Sequence, residues 1–144
     1  MKRMMLFCLP LIALLFTACP TPDLTAIQWI QVNPEGGAEP AFQNGWANSG
    51  GGNEPLEFGK DQLGQVHISG AVANTGSVST TFLFTLPSGY RPAYTKFLPV
   101  VVATSGGTSG LGELWVYSNG NVELLTYIGS IQYARFSDVI FTLN

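Results

Sequence analysis

Charge is scarce in this chain of 144 residues: aspartate, glutamate, lysine and arginine together make up only 10%. Histidine occurs once and cysteine twice. So few basic side chains cannot build the phosphate-tracking stripe of an electrostatic nucleic-acid binder, so no nucleic-acid partner is expected. One histidine and two cysteines leave no Cys/His set for a metal, and no cofactor is expected. Gly50-Gly51-Gly52 lacks the Lys-Ser/Thr and the strand-to-helix setting of a phosphate loop. Helical patterning is missing too, since no segment after residue 20 keeps a 3.6-residue period for three turns. What the chain does have is 46% hydrophobic content with 17 Gly and 9 Pro. That composition excludes a charge-driven disordered tail, and the length suits one domain with a real core.

The first residues form a separate unit. Lys2 and Arg3 precede an uncharged, mostly apolar run of 13 residues over 4–16, with Pro10 in its middle. A bilayer-spanning helix needs about 20 such residues, so the run reads as the core of a secretory signal. The end, Leu15-Phe16-Thr17-Ala18-Cys19, resembles the lipobox of bacterial lipoproteins, with Phe16 where leucine is usual. That resemblance implies a signal peptide over 1–18, lipidation of Cys19 and a membrane partner through a lipid anchor. Residues 19–43 then form a tether and an N-terminal strand, and the protein is exported to the cell surface. Cys8 would leave with the signal, and no disulfide would remain. Loss of Lys2 and Arg3 leaves four basic side chains against nine acidic ones, a net charge of −5. Such acidity disfavours binding to an anionic membrane by charge alone.

The rest reads as strands and turns. Short β-branched and aromatic runs recur over 24–32, 64–74, 80–86, 97–104, 111–118, 121–127 and 136–143, bounded by Gly, Asn, Ser or Pro. In the second run Val66, Ile68 and Ala71 or Val72 should face inward; in the third, Phe82 and Phe84 should alternate with Leu83 and Thr85. Pro99 suits an edge or a bulge. Asn119-Gly120 is the strongest hairpin signal and predicts a type I′ turn. Residues 33–55 should be a long irregular connection around Trp46, and 105–110 a loop tip. The spacing predicts an all-β fold, an antiparallel β-sandwich or barrel.

Few side chains offer chemistry. His67 sits between Val66 and Ile68 and must face away from both. A Ser-His-Asp triad would have to join it to Asp23, Asp61 or Asp138, and no serine stands in an elbow motif. Glu113 and Glu123, on opposite arms of the 119–120 hairpin, are the best candidates for a pair of facing carboxylates but read first as two solvated strand positions. Lys60-Asp61 reads as a turn in which Asp61 bonds amides two residues on. Aromatic rings are the more promising surface: Trp29, Trp46, Trp115, Tyr90, Tyr94, Tyr117, Tyr127 and Tyr133 are many for so few charges. Rings serve sugar stacking, a core or a subunit interface. Trp115 and Tyr117 should share one face, and Tyr127 and Tyr133 flank a Gly-Ser bend as candidate ligand contacts.

From Asn44 the chain runs NGWANSGGG, EFGKDQLGQVHISGAV, FTLPSGYRPA, GELWVYSNGNVEL and RFSDVIFTLN. This order resembles the C-terminal β domains of bacteriophage tail fibres and related minor structural proteins, over residues 44–144. FTLPSGYRPA is the most specific piece. Arg91, held extended before Pro92, either braces this corner or contacts ligand together with Tyr94. Some domains of this kind carry a His-x-His pair that binds metal on a trimer axis. Here the pattern is His67-Ile68-Ser69, so only three copies of His67 meeting on such an axis would supply ligands.

Together these readings predict a non-enzymatic, jelly-roll-like β-sandwich that self-associates as a homotrimer. It would be a surface-exposed lipoprotein whose module binds a cell-surface glycan or receptor, or assembles with itself. A phage virion component for host attachment is the alternative, and a subunit of an extracellular filament the second.

Overall fold

The computed structural model describes residues 26–33, 40–74, 81–126 and 129–144. The signal, Cys19 and Tyr127 lie outside the described residues. Among the described residues no helix is long and apolar enough to cross a membrane.

Among the described residues nine strands carry the fold: β1 (Gln28–Gln31), β2 (Trp46–Asn48), β3 (Glu57–Lys60), β4 (Gln65–Asn74), β5 (Phe82–Thr85), β6 (Lys96–Thr104), β7 (Ser109–Val116), β8 (Asn121–Leu125) and β9 (Ile131–Thr142). All pairings are antiparallel, in the order β1-β3-β4-β9-β6-β7-β8-β5, with β2 added beside β4. The all-β, antiparallel expectation holds. The sheet is continuous and curls until its distant strands face each other: Phe58 on β3 stacks on Phe84 on β5 with ring centroids 6.1 Å apart. Tyr90, in a single 3₁₀ turn over Ser88–Tyr90, closes edge-on against Phe58 at 4.9 Å.

The enclosed side is one hydrophobic cluster, to which β4 gives Val66, Ile68 and Val72, β7 and β8 give Leu114, Val116, Val122 and Leu124, and β9 gives Phe136 and Phe141. From Gly112 in β7 and throughout β8, buried and half-buried residues alternate, as expected for strands covered on one face. Ala71 is buried as well, but on the opposite side of β4 from that cluster.

Several local expectations need correction. The 33–55 connection contains β2, and Trp46 is a buried core residue. β3 was not foreseen; Glu-Phe-Gly-Lys has a single large apolar side chain and forms a strand because β1 and β4 flank it. Leu83 and Phe84 are both fully buried, instead of alternating, because the register slips between Phe82 and Phe84. The 116–122 hairpin exists, but its turn is not type I′. Gly120 has φ +94 while Asn119 is absent from the residues of positive φ, and Gly120 N–H bonds the Tyr117 carbonyl at 2.9 Å. That is a type I turn followed by a left-handed glycine, the three-residue hairpin loop.

Pro99 fits its strand for a readable reason. β6 lies inside the sheet order, yet its pairing with β9 begins only at Val101, so around Pro99 the strand is locally an edge.

Candidate functional site

Side chains on the outer, convex side of the β1-β3-β4-β9 layer follow from the register. Trp29, Gly59, His67 and Ile140 form one row across four strands. Glu57 and Ser69 stand opposite each other in the next row. There the β4–β9 register breaks: Ile68 pairs Val139 and Gly70 pairs Phe136, so Ser69 faces both Ser137 and Asp138. The extra residue puts Asp138 at φ +52. Beyond the bulge Arg135 lies in a row with Ala71 and Val101, and Tyr133 in a row with Ala73 and Ala103.

Gly70 lets a neighbouring segment press closely against β4. It has φ +118, and a β-carbon there would lie 2.1 Å from the Pro55 carbonyl oxygen. Segment 53–56 therefore runs hard against the edge of β4 in the gap between β2 and β3, tied by Ala71 N–H to the Glu54 carbonyl at 3.0 Å and by Leu56 N–H to Asn48 Oδ1 at 2.8 Å. This flanking segment walls a cleft of about 570 Å³ against the β9 bulge, lined among others by Asn53, Glu54, Ser69, Arg135, Ser137 and Asp138. A second depression of about 340 Å³ adjoins it through Glu54 and Ser69 and ends on Trp29 and Glu57.

The polar groups of the cleft are held in place. Arg135 Nη2 donates to Asn53 Oδ1 at 3.2 Å and to the Tyr133 hydroxyl at 3.3 Å. Asn53 is fixed in turn by its Nδ2 bond to the Gly50 carbonyl at 2.9 Å. A guanidinium carries five donors, so this arrangement leaves several for a ligand, on a surface that also offers three carboxylates, two hydroxyls and an indole. Trp29 is 41% exposed. An aromatic face beside planar donors and acceptors suits a sugar ring with its hydroxyls.

His67 lies at the end of this surface, only 8% exposed although it points outward. Because Gly59 carries no side chain, Trp29 reaches across it to meet His67 edge-on at 6.3 Å. Both ring nitrogens are engaged within the chain: Nδ1 with Asp138 Oδ1 at 2.8 Å and Nε2 with Asp61 Oδ2 at 3.3 Å. Asp61 is anchored by its other oxygen, which accepts Leu63 N–H and Gln65 N–H at 2.9 and 2.8 Å, the turn its position predicts. Burial opposes the charge of Asp61. Hydrogen bonds from Gln65, His67 and Leu63, with the charge of His67, outweigh that and hold the carboxyl below the ordinary aspartate range. In this chain His67 thus spends both nitrogens on its own carboxylates. Among the described residues no group of three or more His, Cys, Asp or Glu side chains is arranged to hold a metal ion.

The other predicted contacts disperse. Arg91 Nε donates to the Leu86 carbonyl at 2.7 Å and packs against Gly120, bracing the corner between the 3₁₀ turn and the β7–β8 hairpin. Tyr94 is 76% exposed in the turn before β6 and lines neither depression. Tyr133 alone meets the cleft, through Arg135. Arg135, Asn53 and Trp29 were not singled out as a site, because strand-borne arginine and a glycine-rich loop carry no local motif; only Trp29 stood among the promising rings.

Glu113 and Glu123 do share a face of the β7–β8 hairpin, each opposite or beside Trp115. Glu113 accepts Trp115 Nε1–H at 2.9 Å and Glu123 accepts the Tyr117 hydroxyl at 3.4 Å. Burial first, then the neighbouring Glu123 charge and hydrogen bond, raise the Tyr117 phenol above its ordinary value, so it stays a donor. Trp115 meets Tyr117 at 6.0 Å and Phe97 edge-on at 4.7 Å. The carboxylates serve here to orient rings.

No family model matches the chain, and no curated protein matches its sequence. Among solved structures it is similar to the receptor binding protein (gp15) of Listeria phage PSA, with a TM-score of 0.59 and 17% sequence identity. The match covers 82% of this chain and 66% of that one, so the chain spans just under two thirds of that protein's length. At this identity the likeness is one of fold: the chain folds as a β domain of the kind found in a phage receptor-binding protein.

Proposed function

We propose that the chain is a non-enzymatic attachment module that binds a cell-surface glycan in the outer cleft between segment 53–56 and the β9 bulge. The observation that carries this reading is Arg135, fixed by Asn53 and Tyr133, in a cleft that continues to Trp29. The shared fold with a phage receptor-binding protein supports host attachment as the setting. Purified chain should be retained on bacterial envelopes or their released glycans. Arg135→Ala and Trp29→Ala should each lose retention by about 10-fold, the loss of one charge-assisted hydrogen bond or one stacking surface. Retention unchanged by both substitutions would move the binding site elsewhere, and no retention on any envelope would favour assembly.

Self-association belongs to the same proposal. Phe97, Val101 and Leu111 are 58%, 51% and 74% exposed on the outer face of β6 and β7, an apolar strip that a second copy would cover. A homotrimer predicts a sedimentation mass three times that of the chain, and Leu111→Lys should reduce it to the monomer. Deployment is a second question. The lipobox-like end at Cys19 supports a lipid-anchored surface protein, and the fold supports a virion component; the intact mass of the native chain separates them. A chain starting at an acylated Cys19 means export, and one starting at Met1 means the virion.

A further inference from the structure

We infer that Asp61, His67 and Asp138 form a proton-operated latch in which His67 positions Asp138 at the rim of the cleft. Both ring nitrogens lie within hydrogen-bonding distance of carboxylate oxygens that have no proton to give. Only the doubly protonated ring can donate to both at once; a neutral imidazole has one N–H and one lone pair. Losing a proton therefore sets a lone pair against one of the two carboxylates, and the structure decides which contact breaks.

Asp61 cannot leave. Its side chain is 10% exposed and its second oxygen is tied to two backbone amides. Asp138 can: its side chain is 54% exposed, and its only bond among those described is the one to His67. An acceptor facing an acceptor is costly where it is buried and cheap where water replaces the lost donor. The neutral ring therefore keeps its hydrogen on Nε2 towards Asp61, and Asp138 turns out to solvent, although the Asp138 contact is the shorter of the two. The remaining groups around the ring do not alter this choice. Trp29 from β1 and Ile140 from β9 are uncharged. Of the charges on β3, Glu57 lies two residues before Gly59 on the same face, and Lys60 is drawn to the Gly89 carbonyl and the Tyr90 ring. Arg135 stands beyond the bulge and is bonded to Asn53 and Tyr133.

Asp138 sits at positive φ on the bulge and lines the cleft beside Ser137 and Arg135. Its release moves a carboxylate at the cleft rim, so ligand affinity becomes pH-dependent. That last consequence rests on the attachment reading; the latch does not.

His67 is the only histidine in the chain, so its ring ¹⁵N resonances need no assignment by substitution. They should report a doubly protonated ring at low pH and the Nε2–H tautomer at high pH. Backbone amides of 137–139 should shift with the same midpoint as the ring. In Asp138→Gly, where glycine accepts the positive φ, the ring should still titrate while that coincident shift disappears. An Nδ1–H tautomer at high pH, a ring that stays neutral throughout, or an undiminished 137–139 shift in Asp138→Gly would each overturn the latch. None of these readouts involves a ligand, so failure of the glycan reading would leave them unchanged.

Discussion

Replacing Gly70 by alanine should be among the most damaging single-methyl additions in the chain, because two costs coincide there. An L-residue at φ +118 stores about 1–3 kcal/mol of backbone strain. The added β-carbon would also lie 2.1 Å from the Pro55 carbonyl oxygen and 2.8 Å from Leu56 Cα, both backbone atoms. Segment 53–56 must move away, which breaks the 3.0 Å bond from Ala71 N–H to the Glu54 carbonyl at a further cost of about 1–3 kcal/mol for a buried donor left unpaired. The total is about 2–6 kcal/mol, centred near 4. With a urea slope of about 2 kcal/mol per molar for a domain of this size, the midpoint should fall by about 2 M. Two controls separate the costs. Gly51 has φ +63 with nothing within 4 Å of a β-carbon, so Gly51→Ala should show strain alone, about 1 kcal/mol. Gly89 has open space and no positive φ, so Gly89→Ala should be neutral or slightly stabilising. The assay is urea unfolding followed by tryptophan fluorescence. A Gly70→Ala midpoint no lower than that of Gly51→Ala would refute the close packing of 53–56 against β4, and with it the wall of the cleft.

Phe58→Ala should cost about 3–5 kcal/mol, and combining it with Phe84→Ala should cost less than the sum of the two, since the rings stack on each other across the curled sheet; a double-mutant cycle reads this. Arg91→Ala should cost about 1.5–3 kcal/mol by removing the Leu86 bond, while retention on envelopes stays unchanged. Asp61 is held below the ordinary aspartate value, so its contribution to stability is present above that value and is lost as pH falls through its folded-state value. Asp61→Asn should therefore weaken the acid dependence of the thermal midpoint below pH 4, and an unchanged acid limb would contradict the Asp61 bonding described.

What was legible in the sequence follows from physical cause. β7 and β8 declared themselves because one face is buried and the other more exposed, so period-2 alternation survives in the letters, whereas β4, covered on both faces, showed itself as a run of apolar residues. β2 and β3 did not, since three or four residues with one large apolar side chain carry no periodicity and owe their state to neighbours from elsewhere in the chain. The burial of both Leu83 and Phe84 was hidden for a related reason: a bulge is a property of the pairing with β8. Phage-type sequence order pointed to the right fold. The site was less readable. His67 was visible as the lone histidine facing outward, yet one of its partners stands 71 positions away. Arg135 and Asn53 are 82 positions apart and meet only because β9 lies along one edge of β4 and the 53–56 segment along the other. Tyr133 was named from its exposed-looking bend, and its role beside Arg135 emerged from the register.

The most direct test of the central claim is an NMR titration of the chain with fractionated envelope glycans. Binding in the outer cleft predicts perturbed signals for Trp29 indole N–H, Ser69, Arg135 and Ser137, with the Trp115 indole unmoved. Perturbation confined to Trp115, Tyr117 and Phe97, or none with any fraction, would contradict it.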